Sequence, residues 1–87
     1  MKAGGLLEAR RIIAATKVHG LSVMAGCMIE SNASIAGAAH LAPLLDYADL
    51  DGSLLLASDP LSGVAMPAGE IDLASLDRPG TGARYRA

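Results

Sequence analysis

Two aspartates set two residues apart, Asp49 and Asp51, are the residues of this sequence best placed to do chemistry. They stand in Tyr47-Ala48-Asp49-Leu50-Asp51-Gly52, which reads as the end of a short strand entering a turn. Side chains alternate faces along a strand, so both carboxylates would point the same way, with Cα atoms about 7 Å apart. Two acids facing one space repel each other unless a cation sits there. A metal, a lysine, an arginine or a substrate ammonium would each serve. The other reading is a plain polar turn, since Asp and Gly are ordinary turn formers.

The elements that must hold this pair follow from the pattern on either side. Gly4-Gly5 opens a helix from Leu6 to about Val18, in which Leu6, Ala9, Ile12, Ile13 and Thr16 form one stripe. Glu8 early and Lys17 late suit the helix dipole, and His19-Gly20 closes the helix with glycine at the left-handed cap. Leu21–Ile29 is a nearly continuous apolar run, the mark of a parallel strand covered on both faces, and Gly26 within it predicts a close backbone approach. Ser31 or Asn32 caps a second helix over roughly Ala33 to Ala42, stopped by Pro43. A turn then leads into the acid-bearing strand, Tyr47–Asp51. A strand–helix–strand crossover of this length predicts parallel pairing. Beyond Gly52 the chain changes character: Leu61–Gly69 reads as loop, Glu70–Leu73 as a short edge strand, and the arginine-containing tail as irregular.

Composition bounds the rest. The chain has 87 residues, no Phe or Trp, two Tyr and an apolar fraction of 52% resting on Ala, Leu and Ile. That fraction is high for so short a chain and implies surfaces meant to be covered. A net charge of −2 gives no electrostatic footprint for nucleic acid or a membrane surface. The single Cys27 cannot form an internal disulfide, and with no signal-peptide pattern or apolar run of about 18 residues the expectation is a cytoplasmic protein. Two apolar parallel strands with bare edges need further strands and helices around them. The expected fold class is therefore α/β, as a fragment of something larger.

Met1-Lys2-Ala3-Gly4-Gly5, Gly26-Cys27-Met28-Ile29-Glu30-Ser31, Ala38-Ala39-His40-Leu41-Ala42, Asp49-Leu50-Asp51-Gly52 and Pro79-Gly80-Thr81-Gly82 occur in that order. In this the sequence resembles the C-terminal part of the enolase superfamily, specifically dipeptide epimerases of the L-Ala-D/L-Glu type. The resemblance implies the last β/α units of a TIM-type (modified β/α) barrel over residues 1–57, and a tail over 58–87 returning toward a capping domain. It further implies Mg²⁺ held by three acids on middle strands, and two lysines that remove and return the α-proton of a small dipeptide while the metal stabilises the enediolate. Asp49 and Asp51 would hold the substrate ammonium, with Cys27 and Ile29 near the substrate backbone. The family's second catalytic lysine lies just before the Met-Lys-x-Gly-Gly motif, and Lys2 matches the later lysine of that stretch, so Lys2 is not the base. The metal acids, the Lys-x-Lys pair and the capping domain have no counterpart in these residues. This segment alone is expected to contribute no catalytic residue and no metal ligand, and its partners would be the remainder of the barrel or further copies of the chain. Other branches, of the muconate cycloisomerase or N-acylamino-acid racemase type, and a truncated non-catalytic product are the alternatives.

The remaining candidates have plain structural readings. His40 in the second helix reads as a packed, hydrogen-bonded histidine and His19 as a dipole partner. Cys27 lacks a histidine that would make it a nucleophile. Met24 and Met28 read as core filling, and Glu30 as a capping or solvated residue beside the strand end.

Overall fold

The computed structural model describes residues 2–86. Helix α1, Leu6–Val18, begins behind Gly5 and ends at His19, where Gly20 at φ 69° lets the Leu21 N–H return to the Thr16 carbonyl at 2.9 Å. Glu8 and Arg11 pair at 2.9 Å one turn apart on its exposed face. Such a surface pair contributes only a few tenths of a kcal/mol.

Strand β1, Met24–Ala25, pairs in parallel with β2, Tyr47–Ala48, in the register Met24 to Tyr47 and Ala25 to Ala48. The expected strands at Leu21–Ile29 and Tyr47–Asp51 are thus present but far shorter. Asp46 fixes where pairing starts: its carboxylate accepts the Val23 N–H at 2.7 Å, and its own N–H donates to the Val23 carbonyl at 2.9 Å. The Asp49 N–H closes the other end on the Ala25 carbonyl at 2.9 Å.

Between the strands runs α2, Asn32–Ala39, shorter than expected because His40 already caps it and Pro43 lies in a following 3-10 turn, Ala42–Leu44. Ser31 is its N-cap but makes no side-chain cap bond. The Asn32 N–H instead donates to Asp59 Oδ2 at 2.7 Å, a cap supplied from 27 residues downstream. His40 is not mid-helix; it lies at the helix end, with Nε2 3.0 Å from the Thr81 carbonyl.

Small residues along α2 let two layers approach it, and the core gathers there. Ile35, Ala39, Leu50 and Val64 are buried together, with Cys27, Ala38, Met66, Ile71 and Leu76 packed around them. Val64 comes from the part of the chain read as loop. Asn32 clamps it, accepting the Val64 N–H at 3.0 Å and facing the Val64 carbonyl with its amide nitrogen at 3.4 Å. The tail is also more regular than its composition suggests: β3, Leu61–Ser62, pairs antiparallel with β4, Arg84–Tyr85. Of the predicted edge strand at Glu70–Leu73, only a single bridge from Asp72 to Ala65 forms, and Leu73 opens a 3-10 turn.

Much apolar surface is bare. Only Ile13 of α1 is buried, while Leu6, Leu7, Ile12, Val18 and Leu21 are exposed. Met24 and Met28, expected as core filling, are 60% and 77% exposed, so the strands are not covered on both faces. A groove of about 870 Å³ separates α1 from β1 and α2, walled by Leu6, Ile12, Ile13, Val23, Ala38 and Leu41. No helix among the described residues is long and apolar enough to cross a membrane. An open apolar face of this kind drives association. The 87-residue chain by itself is expected to sediment as concentration-dependent oligomers, with slow amide exchange confined to α2 and its neighbours. A monodisperse, cooperatively unfolding monomer in analytical ultracentrifugation and hydrogen exchange would contradict this reading of the surface.

Candidate functional site

Leu50 organises the acid pair. Its side chain enters the core at 4% exposure, which leaves its two neighbours, Asp49 and Asp51, turned to the outer side. The mechanism differs from the one the sequence suggests. Asp51 is not a strand residue but the first residue of a 3-10 turn, Asp51–Leu55, and strand alternation does not align the carboxylates. An anchored leucine does.

The turn is then pressed against the end of β1. Gly52 is buried, and a Cβ built on it would overlap the Met28 carbonyl oxygen and stand 3.1 Å from Cys27 Sγ. Gly26, expected to be the point of close approach, has nothing nearer than Met24 Cε at 3.8 Å. The constraint therefore sits on the partner strand. Through it Cys27 reaches the acids: its Sγ lies 4.0 Å from Asp51 Oδ1, and one ligand atom from each of Cys27, Asp49 and Asp51 falls within 4.8 Å of the others. Both aspartates are exposed, Cys27 is half-buried, and neither acid is ion-paired among the described residues.

Three of the four expected site residues, Asp49, Asp51 and Cys27, thus come together. The fourth, Ile29, is 66% exposed on the loop after β1. Glu30 holds that loop. Its Oε2 accepts the Met28 N–H at 3.1 Å and its Oε1 accepts the Ser34 hydroxyl at 2.8 Å. The Ser34 hydroxyl first, and the Met28 N–H second, hold the Glu30 carboxyl below its ordinary value of 4.5. Sequence reasoning named Glu30 but not this bracket, and it missed the roles of Asp46 and Asp59.

Chemically the trio offers two carboxylates and one sulfur to a cation. Mg²⁺ demands near-octahedral oxygen ligation, and a thiol is a soft donor, so these residues do not fit Mg²⁺. An ammonium group fits better, since its N–H donors can meet both carboxylates in charge-assisted hydrogen bonds.

No protein-family model matches the chain. Among curated proteins it is 46% identical over 82 residues to the L-Ala-D/L-amino acid epimerase of Flavobacterium johnsoniae, covering 94% of this chain and 24% of that enzyme. Among solved structures it superposes with a TM-score of 0.83 and 43% identity on a dipeptide epimerase from Methylococcus capsulatus complexed with Mg and the dipeptide L-Arg-D-Lys, covering 94% of this chain and 24% of that one. By sequence and fold the chain matches a segment of the enolase-superfamily TIM-type barrel, and these relatives are dipeptide epimerases. A mandelate racemase/muconate lactonizing enzyme from Roseiflexus sp. matches with a TM-score of 0.82 at 34% identity, over 95% of this chain and 24% of that one. The chain spans about a quarter of the length of these relatives.

Two outcomes follow from the site's construction. Gly52→Ala is expected to destabilise the segment by about 1–3 kcal/mol, as overpacking does, while Gly26→Ala stays near neutral; thermal melts of the two variants check this. Because the Glu30 carboxyl is held below its ordinary value, its bracket contributes fully above pH 4.5 and is lost as pH falls through the lowered native value. The protection of the Met28 amide, its exchange rate relative to an unprotected amide at the same pH, should accordingly fall only on the acid side, and Glu30→Gln should flatten that dependence in hydrogen-exchange measurements.

Proposed function

We propose that this chain forms the ammonium-binding wall of a dipeptide epimerase, an enzyme that removes and returns the α-proton of a small dipeptide. The observation that supports it is the convergence of Asp49 and Asp51 with Cys27, within 4.8 Å, just past the C-terminal ends of two parallel strands. That is where barrels of this architecture carry their chemistry. The Methylococcus capsulatus enzyme, bound to a dipeptide with a free amino group at one end, supports a dipeptide as the ligand. In this reading Asp49 and Asp51 fix the amino end of the substrate by two charge-assisted hydrogen bonds, orienting the α-carbon toward proton-transfer groups that this chain does not supply. In the same reading the Mg²⁺ would be held elsewhere in the complete enzyme, since two carboxylates and a thiol do not suit it.

The bare apolar surfaces favour the same view. β1 pairs with β2 along one edge only, and beside it lies the apolar groove under α1. The remainder of the barrel is the partner suited to both.

The test is an intact barrel in which this chain replaces the matching quarter of the Methylococcus capsulatus enzyme. Asp49→Asn and Asp51→Asn should each raise KM for a free-amine dipeptide by about 10–100-fold, the loss of a hydrogen bond to a charged group. They should alter kcat much less. A KM unchanged in both variants would remove the ammonium-binding role.

A further inference from the structure

We infer that Glu30 is a positioning residue for substrate binding at this site, acting through the Cys27–Met28 strand end that Gly52 rests on. The inference rests on the ammonium-binding role proposed for Asp49 and Asp51. Glu30 is hydrogen-bonded to neither aspartate; its two oxygens join the Met28 N–H at 3.1 Å to the Ser34 hydroxyl at 2.8 Å. That span ties the end of β1 to the first turn of α2.

A simple helix cap does not explain it. The N-cap of α2 is Ser31, whose carbonyl accepts the Ser34 and Ile35 N–H groups at 3.1 and 3.3 Å, and the Asn32 N–H goes to Asp59 at 2.7 Å. The helix start is served without Glu30. What Glu30 does serve is the loop. Between Gly26 and Glu30, Met28 and Ile29 are 77% and 66% exposed and lend it little packing. With the carboxylate removed, nothing else bonds the Met28 N–H among the described residues. Yet the peptide carrying that N–H also carries the Cα of Cys27, whose thiol lies 4.0 Å from Asp51 Oδ1, and the next carbonyl is the surface that Gly52 meets. Freeing the loop therefore frees one wall of the acid pair while leaving Leu50 in the core.

The experiment uses the same intact barrel. Glu30→Ala should raise KM for a free-amine dipeptide about tenfold, in keeping with one or two lost hydrogen bonds, with kcat within about threefold and the melting temperature little changed. Glu30→Gln should recover most of the wild-type KM, because its amide oxygen accepts the Met28 N–H and its NH₂ can donate to the Ser34 hydroxyl. Equal losses in Ala and Gln variants, or a fall in kcat and melting temperature without a KM effect, would overturn the inference. If Asp49→Asn and Asp51→Asn raise KM but Glu30→Ala does not, only the Glu30 role falls; if the aspartate variants leave KM unchanged, the underlying reading falls with it. A crystal structure of the Glu30→Ala barrel reads the same geometry without activity. The Cys27 Sγ to Asp51 Oδ1 separation should widen beyond 4.0 Å, and an unchanged separation would count against the inference.

Discussion

The Met28 carbonyl lies against Gly52 where no side chain can be placed, and this contact joins the ends of two strands into one site. On one side of it stand Cys27 and the loop to Glu30; on the other stand Asp51 and the start of the 3-10 turn. The approach works because glycine alone presents bare backbone to a neighbouring carbonyl. It persists because Leu50, two residues earlier, is locked into the core with Ile35, Ala39 and Val64. Two short constraints, a glycine and a leucine, thus place two carboxylates that have no direct bond to each other.

The acid pair was legible in the sequence, but for a reason the structure replaces. Alternation along a strand predicts that Asp49 and Asp51 share a side, and they do converge; yet β2 ends at Ala48 and the convergence comes from burial of Leu50 between them. The apolar–polar pattern carries the same information in a strand or a tight turn when the middle residue is anchored. The helices were legible from periodicity and from Gly20, since these are local signals. The β3–β4 pair and the Asp59 cap were not, because both join residues more than 20 positions apart through backbone groups that leave no trace in composition. Gly26 and Gly52 show the same limit: sequence marks a glycine as special without saying which strand presses on it.

Charge explains why so small a construction matters only in a larger setting. In the chain as described, both aspartates face water, where two charges about 4 Å apart interact by only about 1 kcal/mol. Their mutual repulsion is mild and their demand for a cation is weak. Enclosing the same pair lowers the local dielectric, and the interaction grows several-fold at an effective value of about 20. Under the proposed role, cation selectivity would come from whatever covers the site, while these residues set the geometry.

That division agrees with the distribution of apolar surface. The core around α2 holds the acids in place, whereas α1, the outer edge of β1 and the side chains of Met28 and Ile29 are left bare on the flanks of the same strand end. Covering those flanks would bury apolar area and remove water from the carboxylates in one step, so assembly and recognition draw on a single event. A substrate ammonium arriving in the covered site would replace the hydration the acids lose. Under the proposed role, the exposed face of the segment and the weakness of its isolated acid pair are two aspects of one arrangement, in which binding strength would develop only as the barrel closes.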